Sequence, residues 1–115
     1  MNEAVDTVTS VVVLTPQYVI QPKRDNVPSI TLSAPISLYS QEDKDETIYH
    51  IYKDASTRFT GNDGWCMLTG VQGAWGSEES AMLYLENGNW VASLKRGNNV
   101  ILVTFQAVMI TPVDL

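Results

Sequence analysis

Apolar and polar positions alternate along much of this chain, and the three-to-four-residue spacing of a helix is nearly absent. Nowhere do apolar residues recur at i, i+3, i+4 and i+7 through three turns without a Gly, a Pro or a β-branched cluster intervening. Short runs rich in Val, Ile, Thr, Tyr and Trp return instead roughly every eight to twelve residues, punctuated by Gly, Pro, Asn and Asp. This pattern predicts strands over Thr7–Leu14, Gln17–Gln21, Ser29–Leu32, Ile36–Tyr39, Thr47–Tyr52, Arg58–Thr60, Trp65–Thr69, Ala81–Glu86, Asn89–Leu94 and Asn99–Ile110. About 8–10 short strands and no helix predict an all-β fold, an antiparallel β-sandwich of jelly-roll or immunoglobulin-like type. A chain of 115 residues fits one such domain, spanning 1–115.

The C-terminal third can be read in more detail. Asn87-Gly88 is a strong hairpin signal, because a type I′ turn needs positive φ at both central residues. A two-residue turn there pairs Glu86 with Asn89, Leu85 with Trp90, Leu83 with Ala92 and Ala81 with Leu94. The last three pairs share one wholly apolar face. The next turn, Lys95-Arg96-Gly97-Asn98, leads into the longest strand, with Ile101, Val103, Phe105, Ala107 and Met109 on one side. A four-residue hairpin loop would set Ala92 opposite Ile101 and Trp90 opposite Val103. The other side (Val100, Leu102, Thr104, Gln106, Val108, Ile110) is also largely apolar. Such a strand lies between two layers or at an interface.

The first 35 residues read differently. Pro16, Pro22, Pro28 and Pro35 recur between short β-like runs. Proline cannot donate to a ladder and belongs at edges, strand starts or bends. Residues 1–35 therefore read as a set of edge strands or as an extended N-terminal arm that completes a neighbour's sheet.

Charge narrows the partners. Seven basic against 13 acidic residues give −6, and Lys23-Arg24 and Lys95-Arg96 are the only basic pairs. Nucleic-acid binding draws on clustered Lys and Arg, so no nucleic acid is expected as a partner. No apolar run approaches the ~18 residues of a membrane helix, and an acidic chain is repelled by anionic lipid, so no membrane partner is expected either. Mean hydropathy near zero suits a globular protein. Met1-Asn2-Glu3-Ala4-Val5-Asp6 lacks the basic and apolar regions of a secretory signal, and the lone Cys66 forms no internal disulfide. Synthesis in the cytoplasm without a signal peptide is expected, with the virion as a destination under the reading below.

Candidate chemistry is sparse. His50 is the sole histidine, on a strand face with Ile48 and Tyr52, and Cys66 lies among Trp65, Met67 and Leu68, the setting of an inert buried thiol. Glu42-Asp43-Lys44-Asp45-Glu46 lacks the sixth-position glycine of a calcium loop and reads as a solvated loop tip. Adjacent Glu78 and Glu79 point apart and do not make the facing pair of a glycosidase. Gly70-Val71-Gln72-Gly73-Ala74-Trp75-Gly76 is not a dinucleotide fingerprint and reads as a loop. Trp90 and Trp65 are expected in the core and Trp75 at an exposed loop tip. No cofactor, metal or catalytic residue is assigned.

Two functions follow as expectations. The first is a non-enzymatic structural or interaction protein of a larger assembly. Its best example is an accessory virion protein of a tailed phage, a capsid decoration or tail component. It would be a dimeric or trimeric homo-oligomer, with Val12, Tyr18 and Ile20 as candidate contacts. The alternative is a carbohydrate-binding sandwich or receptor-binding tip. There Trp75 would be the stacking platform, and Asn62, Asp63 and Gln72 the polar contacts to a glycan.

Overall fold

A computed structural model of the chain describes residues 7–41, 44–97 and 99–113. Among them the chain is all-β, with nine strands: β1 (Thr7–Val13), β2 (Pro16–Gln21), β3 (Ser29–Ser33), β4 (Ile36–Tyr39), β5 (Glu46–Tyr52), β6 (Gly64–Gly73), β7 (Ser80–Glu86), β8 (Asn89–Lys95) and β9 (Ile101–Thr111). They form two sheets. The first runs β1-β5-β8-β7, and the second runs β2-β3-β9 with β4 sharing the β3 edge of β9 and β6 along its other edge. Five of the eight connections cross between the sheets, so neither sheet is a simple meander.

The Asn87-Gly88 hairpin forms in the expected register, with Leu85 opposite Trp90, Leu83 opposite Ala92 and Ala81 opposite Leu94. Asn87 (φ 53°) and Gly88 (φ 83°) both occupy the left-handed region, as the turn requires. In β5, Tyr49 and Ile51 face inward while Ile48, His50 and Tyr52 face out. The inward face of β9 (Ile101, Val103, Phe105, Ala107) packs against Ile51, Ala92 and Leu94 in one core cluster. Tyr49 ties the layers together: its hydroxyl donates to the Tyr39 carbonyl at 2.7 Å, and burial pushes its pKa above the usual phenol value.

Four expectations need correcting. The sandwich is not wholly antiparallel, since β1 pairs in parallel with β5 over Thr7–Val13 and Glu46–Tyr52. After Leu14 the chain crosses at Pro16 into the other sheet, so no hairpin constrains the sense in which β5 meets β1. Next, β8 and β9 do not pair. Their inner faces oppose one another from different sheets, which buries the same apolar residues by stacking rather than adjacency. The glycine-rich stretch also continues β6 to Gly73, after a register shift between Leu68 and Gly70 that leaves Thr69 as the extra residue. The long edge of β9 offers backbone partners there, and Gly73 meets it at φ +121°, where an added Cβ would lie 3.0 Å from the Val100 carbonyl oxygen. Finally, the segment Arg58–Thr60 makes isolated bridges to Tyr52 and Asn89 rather than a strand.

Residues 7–21 take edge positions: β1 bounds the first sheet and β2 the second. Residues 1–6, Glu42 and Asp43 of the acidic run, Asn98 and residues 114–115 lie outside the described residues.

Candidate interaction surface

The second sheet has a covered and an uncovered face. Strand alternation sends Leu102, Thr104, Gln106, Val108 and Ile110 of β9 to the side away from the first sheet. Cross-strand partners share a face, so Tyr18–Leu32, Leu32–Val108 and Val108–Trp65 line up as one row across β2, β3, β9 and β6. Ile30 opposite Ile110 lies beside that row on one side, and Met67 opposite Gln106 on the other. The outcome is an apolar outer face at one end of the sheet. It is bounded by Trp65 and Tyr18, 47% and 53% exposed, while Val108 between their neighbours is buried. Trp65 is thus a surface residue rather than a core one, because its β6 position faces outward where no layer covers it.

None of the residues in β2, β3, β4, β6 or β9 is charged. In the first sheet β5 contributes Glu46, β7 Glu86 and β8 Lys95. Toward the other end the outer face of the second sheet becomes more polar, with Ser37 and Thr104 joined through their hydroxyls at 3.2 Å.

The candidate contacts fall in different places. Tyr18 and Ile20 are exposed, as is Val19 between them, so neither face of β2 is covered. Val12 points inward and packs against the core. Trp75 is 37% exposed and its indole N–H donates to the Gln72 carbonyl at 3.2 Å, so these two residues are together. Asn62 and Asp63 are not with them. They precede Gly64, opposite Met109, whereas Gln72 lies opposite Leu102. That separates the two pairs by about 23 Å along β9.

Asp63 has a local structural task. Its carboxylate accepts from the Thr60 N–H (3.0 Å) and hydroxyl (2.9 Å) and from Lys53 Nζ (3.2 Å). Burial pulls its pKa upward, but the Thr60 hydrogen bonds and Lys53 outweigh that and hold it below the ordinary value of 3.8. Asp63 and Lys53 border an open cavity of about 150 Å³ with Phe59 and Met109. That is smaller than the roughly 300 Å³ at which small-molecule pockets begin.

The remaining chemical groups are structural in geometry. Cys66 is buried opposite Ala107, and burial pushes its thiol up to about 12, so it is not ionised near neutrality. Glu79 is buried and clamps two loops: one carboxylate oxygen accepts from the Gly76 N–H (2.7 Å), the other from the Asn99 N–H (3.2 Å). Ser33 and Ser40, which sequence reasoning passed over, bind the β9 backbone at either end of β4. Among the described residues no group of three or more His, Cys, Asp or Glu gathers in a metal-holding arrangement. Nor is any helix long and apolar enough to cross a membrane.

No protein-family model, curated protein or solved structure matches this chain.

Proposed function

We propose that this protein is a non-enzymatic structural subunit of a larger assembly, an accessory virion protein such as a capsid decoration or tail component, built on a jelly-roll or immunoglobulin-like sandwich. The observation that carries the reading is the charge-free second sheet with its uncovered apolar row Tyr18–Leu32–Val108–Trp65. Solvated surfaces of small domains carry roughly a quarter to a third Asp, Glu, Lys and Arg. A sheet face without any is suited to burial against protein. The viral setting is drawn by analogy from a small sandwich with exposed edge strands in its N-terminal part and, among the described residues, no gathered His, Cys, Asp or Glu cluster.

The test is the native mass by light scattering of the 12.7 kDa chain, beside a face variant carrying Ile30→Asn and Trp65→Ser. The reading expects the wild type to associate and the variant to associate more weakly, with its β-sheet circular dichroism intact. A wild type monomeric at about 100 μM, with a variant of equal solubility, would overturn it.

A sugar-binding alternative rests on the exposure of Trp75. Its proposed polar partners are divided between the two ends of β9, which leaves Trp75 and Gln72 as the platform. Glycan binding lost in Trp75→Ala is its test.

A further inference from the structure

The outer face is one unpartnered feature of the second sheet, and its two outer edges are another. Building on the assembly reading above, we propose that the edge strand β2 of one copy pairs with the edge strand β6 of the next, joining second sheets head to tail into a ring or filament of this chain.

The first argument is exposure. Tyr18, Val19 and Ile20 are consecutive in β2, and all are more than half exposed. Consecutive strand residues point to opposite faces, so β2 is uncovered on both sides as well as along its free edge. The same holds for β6. Met67 is exposed on the outer side, while Leu68 and Val71, opposite the fully buried Phe105 and Val103, are exposed on the inner side. The first sheet therefore stops short of covering this half of β6.

The second argument is the absence of charge from both edges. Edge strands of monomeric proteins are guarded by charged side chains (Lys above all), by Pro or by bulges. Each edge here carries irregularities: Pro16 and register shifts in β2, and the extra Thr69 in β6. Neither carries a charge. The sequence has no Asp, Glu, Lys or Arg from Thr7 to Pro22 or from Gly64 to Ser77.

The third is strand sense. β2 is antiparallel to β3 and β3 to β9, so β2 runs parallel to β9, while β6 runs antiparallel to it. Within one sheet the two edges thus run in opposite directions. A copy generated by translation across the sheet, or by rotation about an axis along the strands, presents its β6 antiparallel to the first copy's β2. A two-fold β6–β6 dimer would leave Val19 and Ile20 in water. The heterologous pairing covers both edges.

The fourth is area. With roughly 150–250 Å² for an aromatic side chain and less for aliphatic ones, the exposed parts of the two edges offer on the order of 650 Å² of apolar surface together. That is about half of the ~1,200 Å² at which stable interfaces begin, before ladder backbone is counted.

Two variants decide the matter: a β2-edge variant, Val19→Lys with Ile20→Lys, and a β6-edge variant, Met67→Lys with Val71→Lys. Native mass is read by light scattering and folding by circular dichroism and thermal melting. The wild type should contain three or more copies, and each variant alone should be a folded monomer. An equimolar mixture should give a heterodimer and nothing larger, because each copy retains the one edge the other needs. A wild-type dimer that survives the β2 changes would overturn the head-to-tail pairing in favour of β6–β6 contact. So would a mixture that stays monomeric while both variants are folded. If both edge variants still assemble but the Ile30→Asn, Trp65→Ser variant does not, the edge pairing fails and the assembly reading stands. A wild type that is itself monomeric overturns both.

Discussion

Ser33 offers a sharp test of how the second sheet is held together. It is fully buried and lies where the edge of β9 passes from β3, with Leu32 opposite Val108, to β4, with Ile36 opposite Phe105. No strand backbone serves the Ala107 N–H in that gap. The Ser33 Oγ accepts from it at 2.8 Å and donates in turn to the Ala34 carbonyl at 3.1 Å. Ser33→Ala removes one oxygen, which leaves a hole too small for a replacing water. A buried donor then has no acceptor, a loss of about 1–3 kcal/mol, set against only a slight gain from the less polar side chain. We expect a loss of about 2 kcal/mol, or a fall of roughly 8 °C in Tm for a domain of this size. Urea unfolding followed by tryptophan fluorescence measures it, as a lower midpoint at unchanged slope. Ser37→Ala is the control: its hydroxyl bonds to Thr104 on the exposed face, and the expected change is under about 0.5 kcal/mol. A Ser33→Ala loss no larger than that of Ser37→Ala would refute the claim that Ser33 stands in for a missing ladder partner.

Two other substitutions test local geometry. Gly64 has φ +146°, and a Cβ there would fall 1.8 Å from the Val108 carbonyl oxygen; Gly64→Ala should cost roughly 3 kcal/mol or more. Gly88, at φ +83° with open space around it, should lose only about 1 kcal/mol as Gly88→Ala, and equal losses at the two sites in urea melts would contradict the structure. Asp63 supplies the pH dependence. Its folded pKa lies below the ordinary 3.8, so its contribution to stability is complete above that value and is lost as pH falls through the folded pKa. Asp63→Asn should therefore lower stability at neutral pH and flatten the acid limb of a stability–pH curve; an unchanged limb would show that Thr60 and Lys53 do not favour the carboxylate.

Much of the fold is legible in the sequence where local chemistry dictates it. Asn87-Gly88 specifies a turn that only one register of Ala81–Glu86 against Asn89–Lys95 can satisfy with a clean apolar face. The two-sided apolar character of Ile101–Ile110 predicts a strand between two layers or at an interface; the first sheet covers the Ile101–Ala107 face, and among the described residues no second layer covers the other. What stays hidden is non-local. The connection from Lys95 to Ile101 suits a hairpin or a crossing between sheets equally well, and the choice depends on whether β9 gains more beside β8 or opposite it. Gly70 to Gly73 resembles a loop until a long edge is available to pair with it. Trp65 looks like a core residue because alternation cannot say which of two faces a second sheet will cover. The charge-free sheet is the furthest from view. Its strands lie between Pro16 and Thr111, and only the topology gathers them into one surface.

The energetics of that surface bear on how it works. The exposed portions of Tyr18, Trp65 and Met67, with the half-buried Ile30, Leu32 and Ile110, amount to on the order of 400 Å² of apolar area. At about 25 cal/mol per Å², covering it contributes roughly 10 kcal/mol. Association opposes this with about 4–15 kcal/mol of lost rigid-body freedom. The face alone therefore supports weak docking at best. A subunit with only this face would exchange on and off its target. One whose edges also pair, so that each copy is held by two neighbours and all copies lay their apolar faces on the same partner, binds as an array, with the affinity of the whole far above that of one face. The face and the edges make sense as one device: β2–β6 pairing would align the apolar row of each copy with that of the next, turning a patch too small to bind firmly into a continuous apolar band.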